Sequence, residues 1–228
     1  SGSSLDYSRP ITDGGPGPST ITVPEKIPPH DLNYLSAKDI AIKVVPNNVV
    51  LLGSERPFKL FPEKTLELSV ALPLAAPALR SATVIIGSQT FLLDVRDGKL
   101  VAGFPTPRIT GTVINRLVLL YTDDNYDLVD FSFSLEDFGR IVDSDSKESL
   151  DNVRVTLSSW SKGVGESFFN AAVYHQKNPQ TSSKNGTYSF LVPEGYYVLS
   201  ATKKGYFKRK TAPFFAGGAI NTTLSLTE

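Results

Sequence analysis

From position 38 onward the chain alternates apolar and polar residues with a period of two. KDIAIKVVP at 38–46 and KTLELSVALP at 64–73 both do so, and in the second Leu66, Leu68, Val70 and Leu72 share one face opposite Thr65, Glu67 and Ser69. Successive side chains of a strand point to opposite faces, so the pattern predicts strands with one buried and one wet face. SATVIIGSQTFLLDVRDGKLVAGF at 81–104 predicts three further short strands, punctuated by Gly87-Ser88 and by Asp97-Gly98. Asp-Gly is a strong signal for a two-residue hairpin turn. ITGTVINRLVLLYTDD at 109–124 and YDLVDFSFSL at 126–135 supply a last pair, in which Val129, Phe131, Phe133 and Leu135 alternate with polar neighbours.

Strands at this spacing, with almost no helical periodicity between them, predict an all-β sandwich over residues 36–136, similar to the immunoglobulin architecture. The cysteines of antibody domains are absent, so the similarity is one of architecture. A second set of strands occupies residues 137–228, where Val153, Val155 and Leu157 alternate, as do Tyr188, Phe190 and Val192. Asn185-Gly186 predicts a type I′ turn, Pro193-Glu194-Gly195 a tight turn, and Gly205 a positive φ. LEDFG at 135–139 is the expected junction. Residues 1–35, with DGGPGPSTITVPEKIPPH at 13–30, predict a Pro/Gly-rich flexible linker or an added terminal scar, in which TITVP at 20–24 could pair as an edge strand.

GRIVDSDSKESLDNVRVTL at 139–157, followed by KNGTYSFLVPEGYYVLSATKKGYFKRK at 184–210, resembles the carboxypeptidase regulatory-like, or transthyretin-like, family. The matching positions are Gly139, Ile141 or Val142 near Asp143, Leu150, Val153, Val155 and Leu157, then Gly186, Tyr188, Phe190, Pro193, Gly195, Tyr197, Leu199, Ala201, Gly205 and Tyr206. They cover about the last two fifths of the chain, and FFNAAVYHQKNPQ at 168–180 is a departure, an insert between the two blocks. The resemblance implies a small β-sandwich of the accessory kind found in secreted, periplasmic and cell-surface proteins. The expected fold is thus two tandem β-sandwiches, immunoglobulin-like and then transthyretin-like, behind a linker.

Composition narrows the chemistry. Lys+Arg 23 balances Asp+Glu 23, so no net positive field gathers phosphates, and nucleic acid is not an expected partner. Without cysteine there is no disulfide, thiolate nucleophile or thiolate metal site. Methionine is also absent, and the Ser1-Gly2-Ser3 opening reads as a trimmed start. The most apolar stretch, VALPLAAPAL at 70–79, is broken by Pro73 and Pro77 and is short of the ~20 residues of a membrane span.

Candidate site residues are few. His30 and His175 are the two histidines, and neither sits in a triad or zinc-ligand spacing. DDNYD at 123–127 and DSDSKE at 143–148 offer hard oxygen ligands for calcium but lack a full loop signature, and Asp and Ser equally favour turns. KKGYFKRK at 203–210 suits either a polyanion or a charged edge that resists strand pairing. Tyr196, Tyr197, Tyr206, Phe207, Phe214 and Phe215 are the candidates for an exposed aromatic platform, most being expected in the core. Lys43, Glu67 and Asp130 could form an isopeptide set only if alternation failed to turn them outward, and Asn185 and Asn221 open N-glycosylation patterns.

The expectation is a non-catalytic module, without catalytic, cofactor-binding or metal-binding residues and without a cofactor. It belongs to an extracellular, cell-surface or periplasmic protein and acts as a spacer, adhesion or assembly element. The alternative from another class is a carbohydrate-binding ancillary domain of a larger extracellular enzyme. The partner is expected to be a protein or a surface glycan. Exposed coplanar aromatics on one sheet face would favour sugar binding; a smooth polar face would favour the spacer.

Overall fold

The structure, a computed structural model, describes residues 29–228. The TITVP segment lies outside them. The chain is all-β, and among the described residues the only helical turns are the short 3-10 segments Ala37–Asp39 and Ala171–Tyr174. A five-stranded sheet runs in the order Val49–Leu52, Ile40–Val45, Thr65–Ala71, Lys99–Pro105, Asp94–Arg96. An eleven-stranded sheet runs in the order Gly165–Phe168, Arg154–Ser161, Phe190–Thr202, Phe214–Ile220, Phe58–Leu60, Tyr126–Leu135, Gly111–Tyr121, Leu79–Ile86, Gln89–Leu92, with Gln180–Thr181 and Arg209–Lys210 on its flanks. A three-stranded sheet is built from Thr187–Tyr188, Gly139–Asp143 and Thr223–Leu226.

Two apolar clusters fill the space between these layers. The first joins Ile40, Ile42, Leu66, Leu68, Leu100 and Phe104 of the five-stranded sheet to Val84, Leu117, Leu119, Phe131 and Phe133 of the long one. The second joins Ile141, Tyr188, Leu224 and Leu226 to Val155, Leu157, Phe190 and Leu199. Each alternating set read from sequence lies inward as expected, apart from Leu72, which is only half-buried at the margin of the first cluster. The described end of the N-terminal segment is tied down: Leu32 N–H donates to the Tyr126 carbonyl, and Leu35 is buried in the first cluster.

Turn chemistry agrees in part. Asp97 and Gly98 both take positive φ, 49° and 72°, and close a hairpin in which Arg96 faces Lys99, as a type I′ turn requires. Gly205 has φ 89°. The stretch 81–104 holds one strand more than expected, because Asp94–Arg96 leaves the long sheet and pairs in the other. Asn185-Gly186 is not a type I′ hairpin turn, since only Gly186 has positive φ. The strand after it, Thr187–Tyr188, pairs with Gly139–Asp143, so tertiary pairing overrides the local signal. Gly186 is required for a second reason: a Cβ there would stand 2.5 Å from the Ile141 carbonyl oxygen. Pro193-Glu194-Gly195 makes no turn; it is a bulge inside the continuous strand Phe190–Thr202, where the register with Phe214–Ile220 shifts between Val192 and Gly195.

The long sheet is continuous because of three residues. Phe58–Leu60 pairs in parallel with Phe133, Ser134 and Leu135 on one side, and Lys59 with Gly218 on the other. Gly218 has φ 91°, and a Cβ there would fall 1.9 Å from the Lys59 carbonyl oxygen, so only glycine permits this approach. Leu191 and Ala219 enter the first cluster from the C-terminal half of the chain, and Tyr174 packs against both clusters. The 135–139 junction is packed as well, with the Phe138 ring 5.1 Å from that of Phe61. Asn221 Nδ2 donates to Glu136 Oε2 over 2.6 Å, and Asn47 Nδ2 to the Tyr174 carbonyl over 3.3 Å.

The 168–180 insert acts as a strand substitute made of side-chain amides. Asn178 accepts from Leu157 N–H and donates to the carbonyls of Leu157 and Phe169, at 2.7 to 3.0 Å. Gln176 bonds both backbone groups of Leu191, and Gln180 both of Ser189. A carboxamide presents one acceptor and two donors, so it pairs with a strand's N–H and C=O as a neighbouring strand would. Edges that would otherwise lie open are thereby satisfied.

Candidate binding surface

The sheet's outer face carries its most concentrated chemistry where the two clusters meet. Trp160, Tyr196 and Phe215 lie in direct register on three adjacent strands, Trp160 opposite Tyr196 and Tyr196 opposite Phe215. Directly paired residues project to the same side, and here that side is outward, because Leu157, Tyr197 and Leu199 take the inward positions. Tyr196 and Phe215 are 51% and 52% exposed. Ring centroids are 5.9 Å apart for Trp160–Tyr196 and 5.4 Å for Tyr196–Phe215, with interplanar angles of 68° and 72°. Edge-to-face packing is the arrangement that ring quadrupoles favour, so the row is corrugated, not coplanar. Phe168, 61% exposed and opposite Ser158, stands on the same face.

At its inner end the row opens into a cleft of about 560 Å³, bounded by the 51–59 segment, Glu194 and strand Phe214–Ile220. Leu52, Phe214 and Phe215 give it apolar walls; Ser54, Arg56, Lys59, Ser134, Glu194 and Asn221 give it polar ones. Among the described residues, Arg56, Lys59 and Glu194 form no ion pair with one another or with any neighbour. Two cations and one anion therefore face the opening with unspent hydrogen-bonding capacity. The cleft's floor follows from the joint: Gly217 leaves room for Glu194, whose Cγ would lie 2.7 Å from a Cβ at that position.

The other candidates are placed elsewhere. Of the six aromatics read from sequence, Tyr197 is buried, Tyr206 and Phe214 are half-buried against the second cluster, and Phe207 is exposed in a loop away from the row. Tyr197 is pushed up to about 12 by burial, as is Tyr206 by burial and its bond to Asp143. Exposed His175 follows the Ala171–Tyr174 turn with φ 53°, and Asn48 Nδ2 meets its Nε2 at 3.0 Å. His30 donates its N–H to Asn125 Oδ1.

Of the run at 123–127, which read from sequence as calcium ligands or a turn, Asp127 is instead a buried strand residue. It is 1% exposed, accepts from the Tyr121 hydroxyl at 2.6 Å and from Tyr34 N–H at 2.9 Å, and so fastens the N-terminal segment to the sheet. Burial and the Asp127 bond hold the Tyr121 hydroxyl well above its ordinary range. Alternation points Asp127 inward with Val129 and Phe131, a parity that composition alone hides. In the 143–148 run, Asp143 accepts from the N–H groups of Ser146 and Asp145, which hold its carboxyl below the usual range. No group of three or more His, Asp or Glu capable of holding a metal ion occurs among the described residues.

Lys203 pairs with Asp151 and Lys210 with Glu166, so two charges of the basic run are engaged. Lys43 faces Glu67 on the outer side of the five-stranded sheet, while Asp130 is held bidentately by Arg116 in the long sheet; the three do not meet. No helix of the described residues is long and apolar enough to cross a membrane. No protein-family model matches the chain, and no curated protein matches it. Trp160, Arg56 and Lys59 had no sequence signal beyond their types: Trp160 falls at outward parity with Thr156 and Ser158, but which neighbours flank it depends on strand order.

Proposed function

We propose that the chain is a non-catalytic spacer or assembly module of an exported or cell-surface protein. On this reading residues 36–136 form an immunoglobulin-like unit and residues 137–228 a carboxypeptidase regulatory-like one. The observation that carries it is the strand Phe58–Leu60, which joins the layers over both clusters into one hydrogen-bonded sheet. A hinge at 135–139 would need that ladder to break, together with the Asn221–Glu136 and Asn47–Tyr174 bonds and the packing of Leu191 and Ala219. Such cross-ties set a fixed angle and distance between the ends, which is what a spacer supplies. The resemblance of residues 139–206 to accessory domains of exported proteins supports the placement outside the cytoplasm.

Spin-label distances test this directly, because the chain has no native cysteine. Labels at Ser88→Cys and Lys184→Cys, both in exposed turns, report one from each unit. A narrow distance distribution that persists in dilute solution is the expected result. A broad one, tens of ångströms wide, would sink the fixed-spacer reading.

A further inference from the structure

We infer that the outer-face row Trp160, Tyr196 and Phe215, with the cleft beyond it, is a binding surface for a single carbohydrate chain. This goes beyond the spacer reading and does not depend on it. Tyr196 and Phe215, both exposed, with half-buried Trp160 in register beside them, are costly to leave in water, and a patch of that kind marks an interaction surface. Two features select the class of ligand.

First, the row lies across the strands, one ring per strand with centroids 5.9 and 5.4 Å apart, so it offers a line of contacts to an extended polymer. The C–H faces of a pyranose ring are apolar and electropositive, and they suit the electron-rich faces of Trp, Tyr and Phe. Second, the line ends in a cleft whose side chains are a mixture of hydrogen-bond donors and acceptors, including Ser54, Arg56, Lys59, Glu194 and Asn221. A ligand dense in hydroxyls satisfies both kinds, whereas an apolar peptide would leave Arg56, Lys59 and Glu194 desolvated and unpaired. The 68° and 72° inclinations add a restriction. The rings are thus not the coplanar set expected from sequence of a sugar-binding face, which suits a flat crystalline polysaccharide; the corrugated row suits a soluble chain twisted from one sugar to the next. Arg56 and Lys59 give the cleft end a preference for an acidic substituent.

Affinity electrophoresis through gels containing soluble polysaccharides tests this with the protein as it stands. The neutral arm uses barley β-glucan and xyloglucan; the acidic arm uses polygalacturonate and alginate. The expected result is retardation by at least one polymer, weakened tenfold or more in Tyr196→Ala and in Phe215→Ala, with unchanged circular dichroism and no change in Phe207→Ala, which lies off the row. If the acidic arm binds, Arg56→Gln with Lys59→Gln should weaken that arm alone; if only the neutral arm binds, the row suffices and the double variant has no effect. Absence of retardation by all four polymers overturns the proposal. So does retardation that the row variants leave unchanged, or concentration-dependent self-association abolished by Phe215→Ala without any sugar binding, which would assign the face to a second copy of the chain.

Discussion

The first cluster is enclosed by strands that pair backbone to backbone over most of their length, ten residue pairs between Tyr126–Leu135 and Gly111–Tyr121 alone. The second is enclosed by shorter ladders completed by side chains: Asn178, Gln176 and Gln180 on open edges, Thr211 on Leu199, and Ser182 on Leu150 and Val153. Both are all-β packing around an apolar core, yet the first depends on hydrophobic alternation and the second on polar groups that must each reach one particular backbone partner. A backbone ladder tolerates substitution because every residue supplies the same N–H and C=O. A side-chain clamp has no such redundancy, and its loss leaves buried backbone groups unpaired.

The sharpest way to break the comparison is at the joint. Gly218→Ala places a Cβ against the Lys59 carbonyl at a positive φ, so either the approach or the backbone must give. A loss of about 3 kcal/mol or more is expected, by the scale of strained and clashing substitutions, measured by urea unfolding. The same variant should broaden the spin-label distance distribution, since the sheet is severed where the two clusters join. Asn178→Ala comes next: it removes bonds to three backbone groups and should cost about 2 to 3 kcal/mol, given the cost of unsatisfied buried polar groups. A cost no larger than that of an exposed substitution would show that the clamps are incidental and the two regions alike.

Tyr121→Phe sharpens the contrast from the other side. It takes the only hydroxyl donor from buried Asp127 but leaves the surrounding ladder whole, so about 1 to 2 kcal/mol is expected. The smallest effect is a pH dependence at Asp143. Its carboxyl is held below the usual range in the folded state, so its contribution is present above the unfolded value near pH ~4 and is lost as pH falls through the lower folded value. Asp143→Asn should lower Tm slightly at neutral pH, where the carboxylate's contribution is present, and flatten the fall of Tm with acid below about pH 4, so that the two proteins converge there. A steeper acid fall in the variant would reverse the assigned sign.

Much of the first region was legible because alternation is a one-dimensional record of burial. Leu66, Leu68, Val70, Val129, Phe131 and Phe133 report their face without reference to any partner. Asp97-Gly98 was legible too, since its two positive φ values are a local property of those residue types. The binding surface was only half legible: Tyr196 and Phe215 were named as aromatics to examine, Tyr197 beside them proved buried, and Trp160, Arg56 and Lys59 went unnoticed. The Asn185-Gly186 and Pro193–Gly195 signals misled because tertiary pairing, with Gly139–Asp143 and Phe214–Ile220 respectively, decided what those segments became.

By itself, then, the order of residues determined the all-β class, the inward faces of the strands and the hairpins whose conformations glycine and aspartate specify locally, because each depends on one residue's transfer energy or backbone preference. Only the tertiary structure decided which strands became neighbours. That choice inserted Phe58–Leu60 between two distant strands, brought Asn178 to Leu157, buried Asp127 beneath Tyr34, and set Trp160, Tyr196 and Phe215 side by side. Strand order depends on contacts between residues far apart in the chain, whose joining entropy and packing no local window contains.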